Sequence, residues 1–443
     1  MTISRLPHAG TLARTSVRFA LAQRDLPAWP ILVTLYGMPL WWATGLLQFS
    51  TIIMAIPMAA LLIQRGRISL VPGTLPLVAF VGWMLPCALM LDSVNRIIGF
   101  GVRFSQFAAV AIALVYVINA RHSLPVQRVL TALTFVWVFV IVGGYLGMLF
   151  PNTTLTLTIG HLLPGSILRN DYVTDLVFPQ FSEVQTPYGA AEPFVRPSAP
   201  FAYTNGWGAA IAILTPVAIA CALNRRTAKS MIWLMIGLLA AIPPAIATTN
   251  RGLFVGLIVG VVYVLGRLVR RGKWLPFFWV GSLGALLLLL LAMSGLLDGI
   301  SERQSTVNTT EGRAGLYAEA FTRTLLSPVL GYGAPRPSYT SEITVGTQGM
   351  VWNAMFSFGF VGLALFIVFL VGGMFRTWSA PNVAALWLHA SLVTACALSV
   401  FYGLDNHMLT IALVLGVMLR ERYSADSPFW VTNPHAERRG HED

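Results

Sequence analysis

The sequence predicts an all-α integral membrane protein that crosses the bilayer about twelve times, with both ends in the cytoplasm. Three observations predict it. Of the 443 residues, 56% are hydrophobic and 10% are charged, against roughly 25% charged in a soluble globular domain. The apolar residues fall in runs long enough to cross a membrane. The basic residues between those runs collect on alternate sides. Helices that satisfy their own backbone groups are the one element that carries so much apolar surface into lipid outside a closed barrel.

Residues 1–28 form a polar N-terminal tail with Arg5, Arg14, Arg18 and Arg24. The apolar run that follows is too long and bulky for a cleaved signal peptide, so it is the first span. A membrane domain occupies 29–423, with spans near 29–45, 47–64, 70–91, 97–119, 128–150, 201–223, 231–248, 252–268, 274–295, 351–374, 382–402 and 406–420. With the N-terminus inside, the cytoplasmic connections hold Arg65, Arg67, Arg121, Arg128, Arg225, Arg226, Lys229, Arg267, Arg270, Arg271, Lys273, Arg376, Arg420 and Arg422. Residues 424–443 form a cytoplasmic tail. Two outer connections, at about 151–200 and 296–350, are too long to be turns and are expected to carry function. The first is rich in proline and predicts irregular structure. The second contains a stretch from Gly312 to Leu326 with apolar residues at helical spacing, which predicts a short amphipathic helix. No internal repeat is evident.

The formal charge of +12 comes from clusters between apolar runs, not from a stripe on a soluble face. It follows topology and does not point to nucleic acid. Cys87, Cys221 and Cys396 lie inside apolar segments without a CxxC pair and suit packing.

Arginines on the outer side run against the positive-inside bias. They are Arg169, Arg196, Arg251, Arg303, Arg313, Arg323 and Arg336, with Arg96 and the intramembrane Arg103. Guanidinium groups grip phosphate in a bidentate fork and keep their charge when water is excluded, so an anionic ligand accounts for them. Salt bridges to outer carboxylates such as Asp171, Asp175, Glu183, Glu192, Glu302, Glu311, Glu319 and Glu342 are the competing account. Arg251 lies in the tight Thr-Asn-Arg-Gly connection at 249–252, and Arg196 precedes the span that begins at Phe201. Both positions suit a cavity at headgroup depth. Arg103 sits a few residues inside its span, where a charge is costly and marks function unless it snorkels. No acidic residue lies near the middle of a span, which argues against a proton-coupled transporter. No DxD or DxE pair and no outer histidine cluster is present, which argues against a tightly held divalent metal.

These features resemble the O-antigen ligase and polymerase superfamily of polytopic glycosyltransferases. The resemblance covers roughly 196–374 and rests on the spacing of five motifs. They are Arg196-Pro-Ser-Ala-Pro-Phe with Asn205, the 249–252 turn with Asn250, Gly312-Arg313, Ser327-Pro-Val-Leu-Gly-Tyr-Gly333 and Phe358-Gly-Phe-Val-Gly362. It implies a GT-C-like fold and an undecaprenyl-pyrophosphate-linked glycan donor. The acceptor would be a lipid, a protein or another glycan, and the reaction would run outside a bacterial cytoplasmic (inner) membrane without metal or other cofactor. By it, Arg196 and Arg251 bind the pyrophosphate, while Asn205, Asn250, Arg313, Arg103 and Tyr203 complete the substrate-binding set. One position departs from the family. Gln348 stands where a histidine is usual, eleven residues before Gly359, and glutamine hydrogen-bonds a phosphate or hydroxyl but is no general base. A lipid or solute transporter or flippase is the alternative reading, expected to show inverted repeats and broken helices at the midplane. A scaffold without chemistry is the third.

Overall fold

The computed structural model describes residues 25–168, 171–185, 194–275, 309–340 and 344–424. The predicted ninth span, nearly all of both tails, Arg169, Arg303, Glu192, Glu302 and Glu342 lie outside the described residues.

Seven described helices are long and apolar enough to cross a membrane: α3 Leu47–Arg65, α5 Val94–Asn119, α6 Val126–Leu149, α9 Thr204–Arg225, α10 Ala228–Ala247, α11 Arg251–Arg270 and α13 Met350–Arg376. Shorter apolar helices join them: α1 Trp29–Tyr36, α2 Met38–Ala43, α4 Leu75–Cys87, α14 Val383–Leu398 and α15 Met408–Arg422. The protein is a multi-pass, mostly helical membrane protein. The first predicted span is two helices divided at Gly37, where Trp41 Nε1 donates to the Val33 carbonyl.

The connection predicted to be irregular at 151–200 contains α7 Gly165–Leu168, α8 Asp171–Val177 and an antiparallel hairpin of β1 Ser182–Gln185 with β2 Phe194–Pro197. Glu183 lies opposite Arg196 in that hairpin. The amphipathic helix forms as α12 Thr309–Thr324, followed by the small pair β3 Arg336–Pro337 and β4 Thr344–Val345. The inner face of α12 packs Leu316 and Ala320 on Met355 and Phe356 of α13, and Tyr317 stacks on Trp352 with centroids 4.3 Å apart.

Helix α9 is the hub, packed by α6, α11 and α14. Its many alanines and glycines let backbones approach closely, the usual device where lipid supplies no hydrophobic drive between helices. Gly208 is required there, since a Cβ would stand 2.3 Å from Asn250 Nδ2. Helices α10 and α11 are the periphery and expose Ile232, Trp233, Ile258 and Val262, as lipid-facing positions should.

The motifs at 327–333 and 358–362 meet. Helix α13 breaks at Gly359 (φ 69°, ψ −174°), freeing carbonyls in its first half. Tyr332 N donates to Phe356 O at 3.0 Å, Gly333 N to Ser357 O at 2.8 Å, and Trp83 Nε1 of α4 to Phe358 O at 3.0 Å. Non-helical backbone inside a bundle is tolerated where protein groups replace the lost helical partners.

Hydrogen bonds gather the connections into two ends. At one, Ile159 N donates to Thr44 O, Asn250 reaches Thr204, and Met350 N donates to Tyr402 O. At the other, Arg65 bonds Asn119 O and Arg271 bonds Ala380 O. There Arg420 is buried beside Glu421, with its guanidinium on the Val117 and Leu124 carbonyls.

Candidate functional site

The site is built at the N-terminus of α11. Thr249 adopts a left-handed conformation (φ 47°), and Asn250 then caps the helix by accepting from Leu253 N at 3.2 Å. Asn250 is buried and fully engaged. Its Oδ1 also accepts from the Tyr402 hydroxyl, and its Nδ2 donates to Thr204 O at 3.2 Å and to Asn205 Oδ1 at 3.5 Å. Gly252 completes the turn because a Cβ would fall 2.1 Å from the Tyr402 hydroxyl. Asn205 and Asn250, both in the substrate-binding set that the resemblance implies, are thus in contact with each other.

Arg251 is the first residue of this helix and projects into the exposed surface. It forms no hydrogen bond or ion pair with the described residues. The positive end of a 20-residue helix dipole lies beneath it.

Five other arginines of the predicted outer set are engaged among the described residues. Arg196 Nη2 donates to Glu183 Oε2 at 3.1 Å, and the same oxygen accepts from Thr204 N at 2.9 Å. A relay of Arg196, Glu183, Thr204 and Asn250 therefore joins the two arginines singled out in the sequence. Arg103 pairs with Asp405 at 3.1 Å, so the intramembrane charge has a partner and does not merely snorkel. Arg96 and Arg336 share Asp92, whose pKa the Arg96 hydrogen bond holds below the usual carboxylate range. Arg323 pairs with Glu319 at 2.9 Å and lies over the Tyr339 ring, 4.3 Å from its centroid. Burial alone would raise the Glu319 pKa, but hydrogen bonds from Ser338, Tyr339 N and Arg323 bring it below its ordinary value. Arg313 falls near the start of α12, and its side chain lies outside the described residues.

Gln348 sits beside this cluster by connection. Its Nε2 donates to Thr347 Oγ1 at 2.8 Å and to Thr344 O at 3.4 Å. The next residues dock on the 399–402 turn through Met350 N to Tyr402 O and Val351 N to Ser399 O. Tyr203 donates to Asp175 Oδ2 at 3.0 Å, on the side of α9 that carries the hairpin.

Tyr402, Thr204 and Glu183 form the frame of the site; the sequence offers Glu183 only as one of several salt-bridge partners for the outer arginines and gives Tyr402 and Thr204 no role there. Their roles depend on contacts between residues as far apart as 152 positions, as for Tyr402 and Asn250, and no motif marks them. The arrangement offers a cation that no described residue neutralises, at a helix N-terminus beside a hydrogen-bonded polar base, which is suited to an anion such as a phosphate. No family model matches the chain, and no curated protein matches it.

Proposed function

We propose that the chain is a membrane glycan ligase or polymerase. It would take a glycan from an undecaprenyl-pyrophosphate-linked donor and transfer it to a lipid, protein or glycan acceptor at the outer face of a bacterial cytoplasmic membrane. This reading carries with it twelve spans, an N-in/C-in orientation and a GT-C-like architecture. The observation that supports it best is Arg251, an exposed cation without a partner among the described residues, next to the Asn250–Asn205–Tyr402 base.

In this proposal the donor pyrophosphate sits on Arg251 at the N-terminus of α11. The acceptor hydroxyl oxygen attacks the anomeric carbon from the side opposite the leaving group, and that carbon's bond to the pyrophosphate oxygen breaks. Configuration inverts. The hydroxyl proton passes to water or to the departing phosphate, and undecaprenyl pyrophosphate leaves. A fixed cation aimed at charge that grows in the transition state lowers the barrier, and removing such a contact costs roughly 10²–10³-fold in rate. Arg196 contributes second, because Glu183 already offsets its charge. Gln348 serves as a hydrogen-bonding group near the acceptor, with no role as a base.

The test is mass spectrometry of the prenyl-linked glycan pool in cells lacking the protein. We expect an undecaprenyl-linked glycan to accumulate, to be cleared by the wild-type gene and to persist with Arg251→Ala. Full clearance by Arg251→Ala removes the pyrophosphate site from the proposal. Absence of any accumulated species favours the transporter or flippase reading, for which the divided α1–α2 segment and the break in α13 are the supporting observations. Those breaks weigh less, since the carbonyls freed at Gly359 are taken by protein donors.

A further inference from the structure

The end of the bundle opposite Arg251 carries a groove that the proposed reaction does not use. Helices α1 and α10 both border α6, and a cavity of about 540 Å³ opens over α6 between them. That is the size of a small-molecule site. The short side chains of Ala218, Cys221 and Ala222 on α9 form its back and leave the space unfilled. Phe135 and Val138 of α6 form its floor, with Tyr36 on one wall and Trp233 and Leu234 on the other. Val138, Tyr36 and Trp233 are 46%, 40% and 62% exposed, so the groove opens sideways to the bilayer.

Its mouth is charged. Arg225 and Lys229 both line it. Arg225 Nη2 donates to Thr131 Oγ1 on the floor at 2.8 Å, and that hydroxyl donates in turn to Gln127 O at 2.7 Å. The guanidinium is thereby held over the groove. Lys229 forms no hydrogen bond or ion pair with the described residues. Arg128 stands close enough for its charge to act on the Tyr36 hydroxyl, as the charge of Arg225 does. Among the described residues no carboxylate lies within ion-pair distance of Arg128, Arg225 or Lys229.

The two parts together select the occupant. An acyl chain suits the floor and walls, as it suits any lipid-facing surface. The mouth discriminates among lipids, because three cations without a described counter-charge favour a phosphate and repel the ammonium of a zwitterionic head group. A soluble anion would meet the cations but leave the apolar groove uncovered.

We propose that this groove holds one anionic phospholipid, with its phosphate on Arg225 and Lys229 and an acyl chain along Phe135, Val138 and Trp233. Asn205 and Arg225 lie near opposite ends of α9, about 30 Å apart at 1.5 Å per residue. That is the thickness of the hydrocarbon core. The phospholipid therefore comes from the leaflet opposite the Arg251 site, and this site stands independently of the glycan-transfer reading.

The test is native mass spectrometry of the purified full chain, titrated in detergent with dioleoyl phosphatidylglycerol, dioleoyl phosphatidylcholine and glycerol 3-phosphate. We expect one phosphatidylglycerol to bind about tenfold more tightly than phosphatidylcholine, the equivalent of 1.4 kcal/mol, and glycerol phosphate to bind more weakly than either. Arg225→Gln with Lys229→Gln should abolish the preference. Val138→Trp, which fills the groove and alters no charge, should weaken phosphatidylglycerol by a similar factor. Arg270→Gln with Lys273→Gln removes the same charge from the same end, away from the groove, and should change nothing. All four cations are exposed, so both pairs should fold. Equal affinity for the two lipids, a preference that survives the Arg225 and Lys229 substitutions or is lost equally with those at Arg270 and Lys273, or undiminished binding in Val138→Trp overturns the assignment. Glycerol phosphate binding as tightly as phosphatidylglycerol overturns it too, since the acyl chain then contributes nothing.

Discussion

Arg96, Arg103, Arg196, Arg323 and Arg336 each lie within ion-pair distance of a carboxylate, whereas Arg251 has no such neighbour among the described residues. The difference decides which residue carries the functional argument, and it is set by packing that no local sequence window encodes. Glu183 is legible in the sequence as one of several outer carboxylates open to the outer arginines, but its assignment to Arg196 depends on the hairpin register, and the contact of Asn205 with Asn250 depends on helix packing, neither of which a local pattern carries. Asn250 combines a helix cap with three other hydrogen bonds. Asn250→Ala should therefore lower stability by about 3 kcal/mol, a cap loss plus a stranded buried partner, measurable as a fall in thermal midpoint in detergent. Glu319 gives a pH dependence. Its folded pKa lies below the ordinary value of 4.5, so its stabilisation of the α12 region is present above that pH and is lost as pH falls through the folded value. Protease cleavage near α12 should stay constant from neutral pH to about pH 5 and rise below it. With Glu319→Gln the profile should be flat.

Among the elements, α13 shows how a break is built. At Gly359 a Cβ would stand 2.2 Å from Val329 O, in a backbone conformation that only glycine adopts without strain. Gly359→Ala should destabilise by more than about 2 kcal/mol or prevent folding, seen as aggregation on size-exclusion chromatography. Gly99→Ala in α5 is the contrast, with nothing within 4 Å of the new methyl group. Its midpoint should hold or rise, by up to about 1 kcal/mol of helix propensity. Most helices were legible because composition and length dominate in lipid, and α12 because its apolar residues recur at helical spacing. The division of α1 from α2 and the hairpin at 182–197 were not. Gly37 is held by the Val33 carbonyl and the Trp41 ring, while the hairpin pairs strands across an intervening segment.

For the whole molecule, the two ends at which the described connections meet remain to be assigned to the two sides of the membrane. The orientation itself is open to labelling with a membrane-impermeant thiol reagent on whole cells. Tyr339→Cys, at a highly exposed position, should react from outside, and Gly272→Cys only after permeabilisation. Native background should be low, since Cys87 and Cys221 are buried. Reaction of both from the same side would sink the topology and the outer-face reaction with it. The carbonyls freed at Gly359 also bear on biogenesis. They are completed by a loop segment just upstream and by an indole 275 residues away. The emerging chain therefore already holds every donor that α13 needs when that helix leaves the ribosome. Its insertion depends on α4 remaining within reach, so deleting α4 should leave α13 stalled or degraded even though its own sequence is intact.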